Sequence, residues 1–267
     1  MGADIKKLRN RIKSVDSTLH LTKAMGLVAS SKIRRATEAM LRGREYETAI
    51  RQAIMPLMGS EECKQSPYMK QNSDGKDCLV VIAGDRGLAG GYNANIFRAL
   101  RELPESEIIP IGKRACDRFK GELLYAEKFT YSDAKRIADQ LCRRFAAGEL
   151  SSVSILCTRY VSMLTQEAHI RPVLPLIPEE NAKELSVIFE PDELTVLNSA
   201  VPEYVAGILV SAARESFASE VAARRCAMDS AGKNAQQMID GLQLEYNRAR
   251  QGAITQEITE IVAGSNA

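Results

Sequence analysis

The placement of proline constrains this chain more than any other feature. All nine prolines lie between Pro56 and Pro202, so the first 55 and the last 65 residues contain none. Proline removes one backbone donor and clashes with the carbonyl four residues back, which breaks or kinks a helix. Two long proline-free ends around a proline-bearing middle read as helix, domain, helix, with Pro56 as the expected stop of the first helix.

Hydrophobic spacing supports that division. In the stretch Glu203–Val262 apolar or small residues return at three- and four-residue steps, as in Val205, Ile208, Ala212 and again Met228, Ala231, Ala235, Met238, Leu242. That is the stripe of an amphipathic helix, and sixty residues of it would span about 90 Å. Gly207, Gly232, Gly241 and Gly252 interrupt the pattern; an isolated glycine costs a helix only about 1 kcal/mol, so one long element is expected. At the other end Ile5, Leu8, Ile12, Val15 and Leu19 keep heptad spacing, and Met25, Val28, Ile33, Ala36 and Met40 continue it with a drift of phase. Two such helices pair most simply as an antiparallel coiled coil.

Charge is distributed unevenly. Residues 1–55 hold twelve Lys/Arg against five Asp/Glu, although the whole chain carries only +2. The first helix should therefore prefer an acidic partner. The six cysteines are scattered without a C-x-x-C pair, and His20 and His169 are the only histidines, so no metal site is expected. Cysteines inside apolar runs fit core positions in a reducing compartment. No direct membrane span is expected, and the opening MGADIKKLRNRI lacks the apolar region of a signal peptide.

The middle reads as a small domain. Polar residues 59–77 suggest a linker, and Cys78–Ala83 is a continuous apolar run of the kind a buried parallel strand shows. Further strands are expected at 108–111 and 153–158, with helices at 93–100 (Asn93 as cap), 113–120 and 132–147. The Pro-rich run 171–178 and a short strand at 186–190 lead to the long helix. Alternating strands and helices predict an α/β class with a largely parallel, Rossmann-like sheet inserted between the two coiled-coil helices. The expected divisions are 1–58 shaft helix, 59–77 linker, 78–192 α/β domain and 193–267 shaft helix.

Candidate chemistry is sparse. The loop Gly84-Asp-Arg-Gly-Leu-Ala-Gly-Gly-Tyr-Asn93 follows a strand, as phosphate-cradling loops do, but it matches neither G-x-x-x-x-G-K-[ST] nor G-x-G-x-x-G. A tight turn is the simpler reading; a coiled-coil scaffold with a nucleotide-sensing α/β domain is the alternative. The basic cluster Lys32, Arg34, Arg35 has no interleaved aromatics to stack bases, so nucleic acid is not expected as a partner. Neither histidine has a carboxylate or nucleophile at an informative spacing, and no catalytic residue is assigned.

Three stretches resemble the gamma subunit of the F-type ATP synthase. They are Arg11–Thr18 running into Leu21–Lys32, then Asp85–Asn93, and most specifically Glu245-Tyr-Asn-Arg-Ala-Arg-Gln-Gly-Ala-Ile-Thr-Gln-Glu-Ile-Thr-Glu-Ile-Val-Ala-Gly264. The resemblance implies a central-stalk rotor, not an enzyme on its own, that couples proton flow through the membrane sector to ATP synthesis or hydrolysis. The terminal helices would form a shaft inside a ring of alpha and beta subunits, with the α/β domain beside epsilon and the c-ring. Carried over by motif, Lys23, Met25, Arg224, Arg250, Gln251, Thr255 and Glu257 would meet the stator, and Ile254, Ile258, Ile261 and Val262 would turn in an upper bearing. The implied location is peripheral, on the cytoplasmic face of the bacterial inner membrane, and no cofactor is implied. No insert carries the paired cysteines of the chloroplast form, so thiol control is not expected.

Overall fold

The computed structural model describes residues 2–178 and 189–265. Contacts group the chain into two compact units, Ser31–Ala223 and the pair Met1–Ser30 with Arg224–Ala267. Helix α1 runs Gly2–Gly59 and helix α5 runs Glu193–Ser265.

Both boundary prolines lie inside these helices, which corrects the reading of Pro56 as a stop. Pro56 is in the last turn of α1, where the remaining hydrogen-bonding ladder is short. Pro202 is tolerated because its flanks are deeply buried: Leu197, Val201, Val205 and Ala206 are all fully enclosed. Packing there outweighs the local cost of about 3 kcal/mol for an interior proline.

Within residues 31–223, four strands form one sheet: β1 Lys76–Ile82, β2 Glu107–Ile111, β3 Leu150–Tyr160 and β4 Gln166–Leu174, in the order β2-β1-β3-β4. β1 pairs in parallel with β2 and β3, while β4 closes the edge antiparallel to β3. β4 is a strand that the Pro-rich composition concealed. Its Pro172 sits opposite Ser154 where the β3–β4 register shifts, an irregular edge position that can do without a backbone donor. Of the short strand expected at 186–190, residues 186–188 lie outside the described residues, and Phe189 and Glu190 are not in strand.

β1 is covered on both faces, as its unbroken apolar run predicts. Cys78, Val80 and Ile82 point to one side, into a core shared with Ile54 and Leu57 of α1, α4 (Tyr131–Ala146) and Leu197–Ala213 of α5. Leu79, Val81 and Ala83 point to the other, against Ile96 of α2 (Tyr92–Arg101) and Ala115 of α3 (Lys113–Phe119). Thr130 and Asp133 form a reciprocal capping box that starts α4. Gly112, at φ +90°, enters α3; any side chain there would drive its Cβ to 1.9 Å from the Ala83 carbonyl oxygen.

Within the linker expected at 59–77, residues 60–75 hold 3-10 turns at Glu62–Gln65 and Pro67–Met69 and bury Cys63, Ser66 and Tyr68. Ser66 Oγ donates to Asn198 Oδ1 at 2.6 Å, Leu176 N donates to Tyr68 O at 2.8 Å, and Asn72 donates to the Phe145 and Leu150 carbonyls. One 18-residue window of α5 is apolar enough to cross a membrane, and 67% of it is buried inside the protein, as expected of a core helix.

In the other unit, α1 and α5 run antiparallel. Gly26 meets Met228 at 3.7 Å, Gly232 meets Thr22 at 3.5 Å, and Leu19 packs with Ala235, Ile239 and Val15. Small residues at the crossing let the helices approach closely.

Candidate functional site

Two regions carry the residues singled out by sequence. The first is the loop after β1, at the carboxyl end of the sheet, where ligands bind in open α/β folds. Its first three backbone donors are already occupied. Asp85 N and Arg86 N donate to the two carboxylate oxygens of Glu220 at 3.1 and 3.2 Å, and Gly84 N donates to Asn93 Oδ1 at 2.8 Å. A protein carboxylate thus fills the place a phosphate would take. Asn93 is consequently not the cap of α2; Gly91 holds that position, without a side-chain bond.

Asp85 faces the other way and fastens the loop to its surroundings. Its buried carboxylate accepts from Lys113 N, Ala126 N and Glu127 N at 3.1, 2.9 and 2.8 Å. Glu127 pairs in turn with Lys32 of α1 and with Arg86, the latter at 3.6 Å. Tyr92, at the end of the motif, donates its hydroxyl to Ser216 O at 2.8 Å, and burial pushes its pKa upward. The motif Asp85–Asn93 is therefore a structural knot around α5.

Residues of α5 that sequence reading passed over complete the knot. Ser216 Oγ accepts from Thr158 N at 3.2 Å, Ser219 Oγ donates to Thr158 O at 3.5 Å, and Glu215 accepts from Tyr160 N at 2.9 Å and from Arg44 at 2.5 Å. Ser216, Ser219 and Glu220 lie at helical steps on from Val205, Leu209 and Ala212, a spacing that gives their shared face but neither their burial nor their partners.

Nearby, a cavity of about 800 Å³ is lined by Arg44, Glu47, Arg159, His169, Arg171 and Glu215 among others. Its charges are largely matched internally. Arg171 pairs with Glu47, Nη1 to Oε2 at 2.9 Å, and burial lowers the Arg171 pKa. Cys78, Cys142 and Cys157 lie in the core, where burial pushes each thiol up to about 12. No group of three metal-ligating side chains is gathered among the described residues.

The second region is the α1–α5 pair. Lys23 is exposed, and Met25 and Arg224 are half-buried. Each step back along α1 from Gly26–Met228 through Thr22–Gly232 is matched by a step forward along α5, which sets Gly2 opposite about Gly252. From Arg250 to Gly264 every residue but Ala253 is exposed.

At 100° per residue Ile254, Ile258, Ile261 and Val262 fall in one arc of about 100°, with Arg250 and Gln251 on the same side one turn earlier. Thr255 borders the arc and donates to Gln251 O at 3.0 Å, and Glu257 flanks it on the opposite edge. These residues form a long exposed helical surface and do not converge on a cavity.

That geometry defines a class: a protein of two long helices with an inserted α/β domain, whose singled-out residues are either structural fastenings or lie along an exposed helix. The family model described as ATP synthase matches residues 4–267. The ATP synthase gamma chain of Ruminococcus albus is 40% identical, with 98% of each chain covered. The sodium-ion-specific gamma chain of Acetobacterium woodii is 36% identical over 100% of this chain and 99% of its own. Among solved structures, a chain of the Euglena gracilis mitochondrial ATP synthase (OSCP/F1/c-ring, rotational state 3) superposes with TM-score 0.69 at 20% identity, covering 100% of this chain and 95% of that one.

The chain belongs to the ATP synthase gamma chain family. Its role is that of the gamma subunit of a rotary F-type ATP synthase, a non-catalytic part of the central stalk.

Proposed function

We propose that α1 and α5 turn as a shaft inside a ring of alpha and beta subunits, with segments 1–58 and 193–267 as shaft and 78–192 as a foot beside epsilon and the c-ring. The assembly would lie on the cytoplasmic face of the bacterial inner membrane. One observation carries this reading: from Arg250 to Gly264 every residue but Ala253 is exposed, and the large apolar ones share one arc of the helix. Exposed apolar surface of this kind marks a docking face.

In this reading Ile254, Ile258, Ile261 and Val262 turn against an apolar collar. Arg250, Gln251, Thr255 and Glu257 make polar contacts that break and re-form at three equivalent stator positions. Lys23, Met25 and Arg224 meet acidic stator loops, and the excess positive charge of residues 1–55 supplies long-range attraction. The shaft biases each beta subunit in turn by differential contact, which is how binding changes travel between distant sites.

The test is ATPase activity of purified alpha and beta subunits with and without this chain. The expected result is an inactive chain that converts the other two into a stable, active complex. A chain that neither joins them nor changes their activity overturns the assignment of partners.

A further inference from the structure

We infer that the buried polar seam between α5 and the carboxyl edge of the sheet is the joint that carries torque between α5 and the α/β domain. The inference rests on the central-stalk role. From Leu197 to Ala213 the face of α5 on the sheet is apolar. Over the next two turns it becomes polar while remaining buried: Ser216 and Ser219 are 0% exposed and Glu220 is 1% exposed.

Apolar attraction is non-directional: it presses a helix onto a sheet but does little to oppose rotation of the helix about its own axis. Hydrogen bonds are directional and weaken steeply off-axis. The partners of the seam come from separate pieces of chain: Asp85 N and Arg86 N from the loop after β1, Tyr92 from α2, Thr158 and Tyr160 from β3. Turning α5 by one residue would pull Glu220 from both N–H groups, and taking partners from a buried carboxylate is strongly penalised in a protein interior.

The loop that grips Glu220 is itself held by Asp85, which anchors it to the start of α3 and to Ala126–Glu127. Apolar side chains of equal volume could hold α5 as firmly. What the seam adds is one defined angular position, as a shaft needs where it joins the body it drives.

The test uses the assembled complex in inverted membrane vesicles, comparing ATP hydrolysis with the ATP-driven membrane potential read by a potential-sensitive dye, so either coupling ion serves. Glu220→Gln keeps the size but sets an amide NH2 against one of the two N–H donors. Hydrolysis should continue at the wild-type rate while the potential per ATP hydrolysed falls severalfold. Ser216→Ala and Tyr92→Phe should show smaller losses of the same ratio, and the pair together a larger one.

A wild-type ratio in every assembled variant overturns the inference. So does failure of both milder variants to assemble, since the seam would then serve folding alone. If the stalk role itself were wrong, the unmodified chain would fail to support the potential, which separates the two failures.

Discussion

Replacing Ile254, Ile258, Ile261 and Val262 together by serine separates a docking surface from a folding element. In the free chain these side chains are 46%, 56%, 66% and 53% exposed, so roughly half of each remains to be buried by a partner. Full burial of such a side chain is worth about 1.5–3 kcal/mol, so the remaining half is worth about 1 kcal/mol each and about 4 kcal/mol for the four. That corresponds to a roughly thousandfold weaker dissociation constant, as an upper figure because association entropy and imperfect packing reduce it.

The free chain should not notice the change, because serine and isoleucine have similar helix propensities and the replaced groups face solvent. The assays are calorimetric titration of the variant into reconstituted alpha and beta subunits and thermal melting of the chain alone. Wild-type affinity would refute the bearing role. A lowered melting curve would show that these side chains stabilise the chain itself.

Met25→Lys and Gln251→Leu should leave the chain folded and reduce ATP synthesis by the assembled complex; unchanged synthesis in both removes those residues from the contact surface. Leu19→Ala, which empties the apolar contact with Ala235 and Ile239, should cost about 2–3 kcal/mol. Hydrogen exchange should show the lost protection confined to the α1–α5 pair, and a loss spread over the sheet would contradict that. Glu47→Gln strips Arg171 of its charged partner; with Arg171 still 20% exposed, a cost of about 2 kcal/mol is expected. Urea denaturation should show recovery when Arg171→Met is added, and simple additivity would sink the pairing argument.

Stability should also fall on the alkaline side. An unfolded thiol ionises near pH 8.5, whereas Cys78, Cys142 and Cys157 hold their protons to about 12. Between those values the unfolded state binds fewer protons, so rising pH favours unfolding by about 1 kcal/mol per thiol for each unit. Urea unfolding from about pH 8 to pH 10 should show that slope, reduced in Cys142→Ala; an unchanged slope in the variant would refute the cause.

Helical spacing and the alternation of strand and helix were readable because they follow from local geometry: apolar side chains must share a face with period near 3.6 or 2. Thus α1, α5 and β1 could be anticipated. Proline misled at Pro56, which lies in the last turn of α1 and does not stop it, and at Pro172, which lies inside β4 because an irregular edge position needs no donor. The pairing that makes Pro172 an edge position is not local.

The exposed face at the end of α5 was legible as a motif, since a long exposed helix needs only its own sequence to set out its faces. The seam at Glu215–Glu220 was not. A carboxylate on a helix is an ordinary solvated charge until some other segment brings donors to it, and Glu220 finds Asp85 and Arg86 across 134 or more positions of chain.

The sequence by itself therefore determined the two long helices, the α/β insertion and the family, because periodicity and motif are properties of neighbouring residues. Only the tertiary structure decided that a glycine-rich loop grips a helix in place of a phosphate and that Ser216, Ser219 and Glu220 are buried anchors. Partners for buried polar groups are recruited over long range, and their geometry exists only once the chain has folded.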